Sequence, residues 1–162
     1  MIAIIDYGAG NIFSVKNALD YLGVENKLTA DKNEICAADE IILPGVGAFP
    51  WAMKMLRDSG LVDTIREEAR KKPFLGICLG MQLIFDKGYE FEETDGLRLI
   101  GGKVEKIDRK DMIIPHMGWN ELEINRDCPI LKSLPEHPYV YFVHSYAAVC
   151  DEKNVSAYCD YD

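Results

Sequence analysis

Phe74-Leu75-Gly76-Ile77-Cys78-Leu79-Gly80-Met81-Gln82 is the stretch on which the fold turns. A run of apolar residues carries a strand into Cys78, and the residues after it continue as a helical segment, so the cysteine stands at a strand-to-helix junction. Glycines at i−2 and i+2, Gly76 and Gly80, complete the pattern G-x-[S/C]-x-G. Small flanking residues there permit a tight, strained turn that pushes the central side chain out at the strand's carboxyl end. The N–H groups opening the following helix face the sulfur and favour the thiolate. Free cysteine is also among the most buried residue types, so on this segment alone simple packing competes with catalysis as a reading of Cys78.

Upstream, the apolar runs at residues 2–5, 40–43 and 74–77 are nearly continuous, as in strands covered on both faces. Between them the period changes. Residues 11–22 place Ile12, Val15, Ala18, Leu19 and Leu22 on one helical face, with Gly23 as the stop. Residues 50–72 carry Met53, Leu56, Leu61, Ile65 and Ala69, with a break at Asp58-Ser59-Gly60. Lys71 and Lys72 suit the negative end of a helix dipole, and Pro73 cannot continue the helix. Strands alternating with helices predict an α/β fold, a three-layer open and mostly parallel sheet flanked by helices. Residues 96–107, 113–124 and 139–149 read as longer strands joined by polar loops, an antiparallel extension of that sheet. With no internal repeat and no linker, residues 1–162 are expected to form one domain.

A domain of 162 residues buries roughly 70% of the surface its unfolded chain exposes, enough for a true core. The net charge of −9 is spread along the chain. Phosphate contacts need clustered Lys and Arg, so neither nucleic acid nor an anionic membrane is an expected partner. Five cysteines (Cys36, Cys78, Cys128, Cys150 and Cys159) at irregular spacings include no C-x-x-C pair. That pattern fits a reduced, cytoplasmic protein and implies no metal. The start of the chain lacks the basic and apolar regions of a signal peptide, and no run approaches the ~20 apolar residues of a membrane span.

Leu43-Pro44-Gly45-Val46-Gly47-Ala48-Phe49 also joins an expected strand to a helix. In an open parallel sheet this loop and the elbow face each other across the strand ends, where backbone N–H groups at Gly45 and Gly47 can meet a developing oxyanion. A plain glycine turn is the competing reading. Asp6-Tyr7-Gly8-Ala9-Gly10-Asn11 looks like the start of a dinucleotide fingerprint, but the third small residue would fall at Phe13, which excludes a nicotinamide or flavin cofactor. A cysteine nucleophile needs a base, and His116, His137 and His144 are the three candidates; spacing does not choose among them.

Taken in order, Asp6 to Asn11, Pro44 to Phe49, Gly76 to Gln82, Pro115-His116-Met117-Gly118-Trp119-Asn120 and Tyr141-Phe142-Val143-His144-Ser145-Tyr146 resemble the class I (triad) glutamine amidotransferases over essentially the whole chain. The opening motif, the PGVGAF loop and PHMGWN are similar to the imidazole glycerol phosphate synthase branch. The resemblance implies that Cys78 attacks the side-chain amide of L-glutamine, releasing ammonia and leaving a glutamyl thioester. It implies an oxyanion site at Gly45, Val46, Gly47 and Leu79, and glutamine contacts from Gln82, Glu90, Ser145 and Tyr146. A carboxylate at Glu90 suits the substrate's α-ammonium, and Gln82 lies one helical turn past the nucleophile. Ammonia would pass to a cyclase subunit, a (β/α)₈ barrel. There a phosphoribosyl-carboxamide becomes imidazole glycerol phosphate and an aminoimidazole carboxamide ribotide. Asn11, His116, Met117, Trp119 and Tyr141 match positions at or near the surface for that partner.

One departure accompanies the match. The family's base and orienting acid lie in a His-Pro-Glu segment further along than Asp162, so the resemblance implies a chain lacking its C-terminal segment and inactive by itself. Glu136-His137-Pro138 has the same residue types in another order and place and is a coincidence. Two competing functions are a non-catalytic partner-binding subunit and an amidotransferase subunit of another synthase.

Overall fold

The computed structural model describes residues 1–108 and 113–161; Asp162, the last residue, lies outside the described part. The first half builds β1 (Ile2–Ile5), α1 (Ile12–Tyr21), β2 (Asn26–Thr29), α2 (Lys32–Ala37), β3 (Glu40–Gly45), α3 (Phe49–Asp58), α4 (Val62–Glu68), β4 (Phe74–Cys78) and the single turn α5 (Leu79–Gln82). Its four strands are all parallel, in the order β2-β1-β3-β4. The expected α/β class is what the chain adopts.

The apolar runs become strands because both faces are covered. Ile4 pairs with Ile42 in register and both are buried on the face toward which α1 packs, while Ile5, Ile41 and Leu43 alternate onto the other. There they join Ile35 of α2, Phe49, Ala52, Met53 and Leu56 of α3, and Ile65 of α4 in one core, closed by Leu79, Leu83, Phe85, Leu97 and Val104. The 3- and 4-residue spacing of the buried positions in α3 is the amphipathic stripe that fixes its rotation.

Several elements differ from the expectation in instructive ways. The long helical stretch breaks where expected, with Gly60 at φ +69° after the Ser59 cap, but α4 ends at Glu68, so Lys71 and Lys72 lie beyond it. Lys72 instead donates to the carbonyls of Ile35, Cys36 and Ala38 at 3.2, 2.8 and 2.7 Å, serving the C-terminus of the neighbouring α2. It also pairs with Glu68 at 2.8 Å. Helix α2 and strand β2 are too short and charged to show a period; α2 is started by Asp31, whose carboxylate accepts from the N–H groups of Asn33 and Glu34. In α1 the apolar face is only half covered: Ile12, Val15 and Leu19 are partly buried, and Ala18 and Leu22 are exposed.

The second half comprises β5 (Phe85–Gly88), β6 (Thr94–Asp95), β7 (Ile100–Lys106), β8 (His116–Glu121), β9 (Glu123–Ile124), β10 (Tyr139–His144), β11 (Tyr146–Val149) and β12 (Ala157–Tyr158). Largely antiparallel as expected, these strands do not continue the ladder of β4 among the described residues. They form a β11-β7-β5-β6 sheet, with β5 and β7 parallel, a β8-β10 ribbon, and a small β9-β12 pair. The strand expected over residues 139–149 is two: it changes partner at Ser145, with β10 on β8 and β11 on β7. That changeover brings the second half to the carboxyl ends of β3 and β4.

Candidate active site

Cys78 adopts φ 56° and ψ −119°, a positive φ that costs a non-glycine residue strain and that survives only when the surroundings impose it. Three glycines supply that constraint. A Cβ on Gly80 would stand 1.9 Å from the Leu43 carbonyl oxygen, one on Gly76 would stand 2.6 Å from Met81 Cα, and one on Gly45 would stand 2.5 Å from the Gly80 nitrogen. Turn α5 therefore rests backbone-on-backbone against β3 and β4. The flanking glycines serve close approach, and the strained conformation sits on the cysteine itself. Because α5 is a single turn, the field at the sulfur comes from a few N–H groups rather than from a long helix.

Cys78 is exposed and opens onto a cavity of about 450 Å³. The elbow contributes Leu79 and Gln82 to its wall, the β3–α3 loop Val46 and Gly47, and the changeover after β10 contributes Ser145 and Tyr146, with Glu90, Pro115, Val143 and His144 completing it. Gly45 stands behind the wall, against α5. Two larger clefts, of about 1020 and 920 Å³, are lined mainly by surface residues of both charges and contain neither the elbow nor the glycine loop.

The walls are tied by specific bonds. Tyr7 Oη donates to the Pro44 carbonyl at 3.0 Å and anchors the glycine loop from below; burial pushes its phenol up to about 12. Glu90 Oε2 accepts from the Phe49 N–H at 2.8 Å, capping α3 where Ala48 has no side chain to do so. Gln82 Nε2 donates to the Tyr146 carbonyl at 2.9 Å, linking α5 to the second half.

The three histidines fall into two places. His137 is on the outer end of the β8-β10 ribbon, 2.5 Å from Glu121, away from the cavity. His144 lines the cavity, but both of its ring nitrogens are engaged, Nδ1 with the Tyr146 carbonyl at 2.9 Å and Nε2 with His116 Nδ1 at 3.1 Å. His116 is only 3% exposed, stacked between Phe142 and Tyr161 at 4.4 and 3.8 Å. It is therefore not a surface side chain, contrary to its grouping with a partner-facing surface. Met117, Trp119 and Tyr141 are exposed at 57%, 68% and 52%, and the Trp119 and Tyr141 rings meet edge-on at 5.6 Å. Asn11 is exposed and caps α1 through the Ser14 N–H.

With this geometry in view, the comparison with known proteins is direct. The family model described as Glutamine amidotransferase class-I matches residues 3–162. The chain belongs to the class I glutamine amidotransferases. Within that family it is 50% identical over 163 residues to "Imidazole glycerol phosphate synthase subunit HisH" of Listeria monocytogenes serotype 4a (strain HCC23), spanning 99% of this chain and 78% of that protein. It is 49% identical over 162 residues to the protein of the same name from Bacillus cereus (strain G9842), spanning 99% and 77%. Two solved structures share the fold at 21% identity. One is described as "Crystal structure of glutamine amidotransferase", with a TM-score of 0.72 over 97% of this chain and 79% of that chain. The other is PurLQS from Thermotoga maritima, with 0.71 over 99% and 74%.

Within this amidotransferase site, sequence reasoning missed Tyr7, Val143 and Pro115 as parts of the anchor and wall, and it had His144 only as one of three candidate bases. Tyr7 carries no local signal, since its partner is 37 positions away. Val143 was within reach, because it lies two residues before Ser145 in an already recognised strand. Among the described residues no group of acidic, His and Cys side chains is placed to hold a metal, and no helix is long and apolar enough to cross a membrane.

Proposed function

We propose that this chain is the cytoplasmic glutaminase subunit of an imidazole glycerol phosphate synthase, hydrolysing L-glutamine and delivering ammonia to a barrel-shaped cyclase partner. The observation that carries the reading is the strained Cys78 opening onto a cavity walled by Val46, Gly47, Gln82, Glu90, Ser145 and Tyr146. The relatives named as HisH subunits of that synthase support it at half identity.

In this reading Cys78 Sγ attacks the amide carbon of glutamine, and the carbonyl oxygen takes up the charge opposite N–H groups of the Gly45–Gly47 loop and Leu79. The C–N bond breaks as nitrogen gains a proton and leaves as ammonia. Water then cleaves the thioester to glutamate and restores the thiol. Glu90 has one oxygen bound to the Phe49 N–H, which leaves the other for the substrate's α-ammonium. Both steps need proton transfer. His144 and His116 are committed to each other and to the Tyr146 carbonyl, and His137 is remote. These residues by themselves therefore lack a free base beside the sulfur, and the 162-residue chain is expected to turn over glutamine very slowly even with its partner. The exposed Met117, Trp119 and Tyr141, with Asn11, form the surface for the cyclase.

The occupied histidines also favour a second reading, a partner-binding subunit that does no chemistry. Labelling with diazo-oxonorleucine, a glutamine-like electrophile, followed by peptide mapping separates the two. The glutaminase reading expects modification confined to Cys78 and blocked by glutamine. Labelling spread over several cysteines, or indifferent to glutamine, refutes it.

A further inference from the structure

We propose that His116 and His144 form a positioning pair whose proton order holds the Tyr146 carbonyl, and through it Gln82, in the shape that admits glutamine. The inference rests on the glutamine-binding reading above and adds the device that sets the site.

The argument is a count of protons along an unbroken chain. The Tyr146 carbonyl can only accept, and it receives two donors, Gln82 Nε2 and His144 Nδ1, each at 2.9 Å. His144 therefore carries its proton on Nδ1. Its Nε2, 3.1 Å from His116 Nδ1, is then the acceptor in a neutral ring, so His116 also carries its proton on Nδ1. His116 Nε2 is left as an acceptor, whereas the atom the structure places 2.8 Å from it is Asn120 Oδ1, itself an acceptor, so the Asn120 amide must be assigned from the network. With Oδ1 turned to the ring, His116 would have to hold both protons. With the amide turned so that Nδ2 donates, every contact is satisfied without a charge. Among the described residues neither ring has a carboxylate as hydrogen-bond partner, and an uncompensated charge at the 3% exposure of His116 is costly, so the neutral arrangement prevails.

Every donor then points the same way: Asn120 to His116, His116 to His144, and His144 to the Tyr146 carbonyl. The chain begins on β8 beside the exposed Trp119 and ends at the Tyr146 carbonyl, to which Gln82 of α5, one turn from Cys78, donates from the other side. Phe142 and Tyr161 hold the His116 ring between them, so the pair is fixed in its plane as well as at both ends. Without His116 the Tyr146 carbonyl is the one remaining partner that favours Nδ1–H on His144, against the Nε2–H form that an unpartnered neutral imidazole prefers. In the other tautomer its lone pair would face the Tyr146 oxygen, leaving Gln82 as that carbonyl's one remaining donor.

Long-range proton–nitrogen NMR of the ¹⁵N-imidazole-labelled chain tests this, combined with glutamine affinity measured by protection of Cys78 from diazo-oxonorleucine. The wild type is expected to show His116 and His144 both in the Nδ1–H tautomer. Replacing His116 by Phe should return His144 to the Nε2–H form and weaken glutamine binding about fivefold, the worth of one net hydrogen bond. Gln at 116 can still donate to His144 Nε2, so His116→Gln should restore the tautomer and most of the affinity. A merely structural ring would show the affinity loss without the tautomer change. An Nε2–H His144 in the wild type overturns the proposal even if His116→Phe does not fold, as does a folded His116→Phe with wild-type affinity. Absence of any glutamine protection in the wild type would refute the functional reading instead, and the tautomers would still decide the pair.

Discussion

Replacing Gly80 by Ala adds one methyl group, and the geometry says what it meets. The new carbon would stand 1.9 Å from the Leu43 carbonyl oxygen, 2.8 Å from its carbon and 3.1 Å from the carbonyl carbon of Pro44. A close C–H···O contact is about 3.3 Å, so α5 must retreat from β3 by about 1.4 Å. Both obstacles are backbone, so no rotamer change relieves the clash. Overpacking of this kind costs about 1–3 kcal/mol, with the rigid neighbour placing it at the upper end, against at most ~1 kcal/mol returned by alanine's better helix propensity. In a chain of this length that is a fall in Tm of about 4–8 °C. The effect on chemistry is larger, because the retreat carries Cys78 away from the glycine loop. A displacement of about 1 Å commonly costs on the order of 10²-fold in rate. The assay is diazo-oxonorleucine labelling of Cys78, well below each variant's Tm, beside a melting curve. Gly101→Ala is the control, since its nearest atom is Asp86 Oδ2 at 3.9 Å and its φ is outside the left-handed region. If Gly80→Ala matched Gly101→Ala in both melting and labelling, the backbone contact would not be what holds the elbow.

Tyr7, held at about 12 by burial, is neutral in the fold while the unfolded phenol ionises near 10; stability is therefore complete below pH 10 and falls by about 2–3 kcal/mol as pH rises toward 12. Urea midpoints from pH 9 to 12 should slope for the wild type and flatten for Tyr7→Phe; parallel curves refute the assignment. Hydrogen bonds from Lys71 and then Lys72 hold the Glu68 carboxyl down to about 2, so its contribution is present above about pH 4.5 and lost as pH falls toward 2. Glu68→Gln should remove that part of the acid transition, and an unchanged acid midpoint would contradict it. Trp119→Ala should weaken cyclase binding by about 2 kcal/mol, roughly thirtyfold in Kd by calorimetry, as a truncated aromatic anchor does; an unchanged Kd means the partner docks elsewhere.

The parts of this molecule that were legible in the sequence are those decided within a few residues. The elbow shows because Gly76, Cys78 and Gly80 are a local pattern, and the break at Gly60 shows because only the chain's own backbone is involved. The role of the flanking glycines was misread, since the carbonyl that Gly80 must avoid belongs to Leu43, 37 positions earlier in the numbering. Lys72 has the right charge for a helix end, but which helix is settled by tertiary placement. The segment 139–149 has one uninterrupted β pattern, and nothing local reveals that its halves pair with different strands. The three histidines could not be ranked for the same reason: His144 is disqualified as a free base by a local bond to the Tyr146 carbonyl together with one to His116, 28 positions earlier, which the sequence does not place beside it.

The exchange of partners at Ser145 has a mechanical meaning. The β8-β10 ribbon, with its aromatic outer face, and the β7-β11 sheet meet where β10 runs directly into β11, and that joint is part of the cavity wall. Inside each of the two, paired strands resist bending. A push that tilted the ribbon would bear on the backbone torsions around residues 144–146, where the carbonyl that Gln82 and His144 share is located. Pressure on the outside of the ribbon would therefore act, at that joint, on the wall of the chamber in front of Cys78.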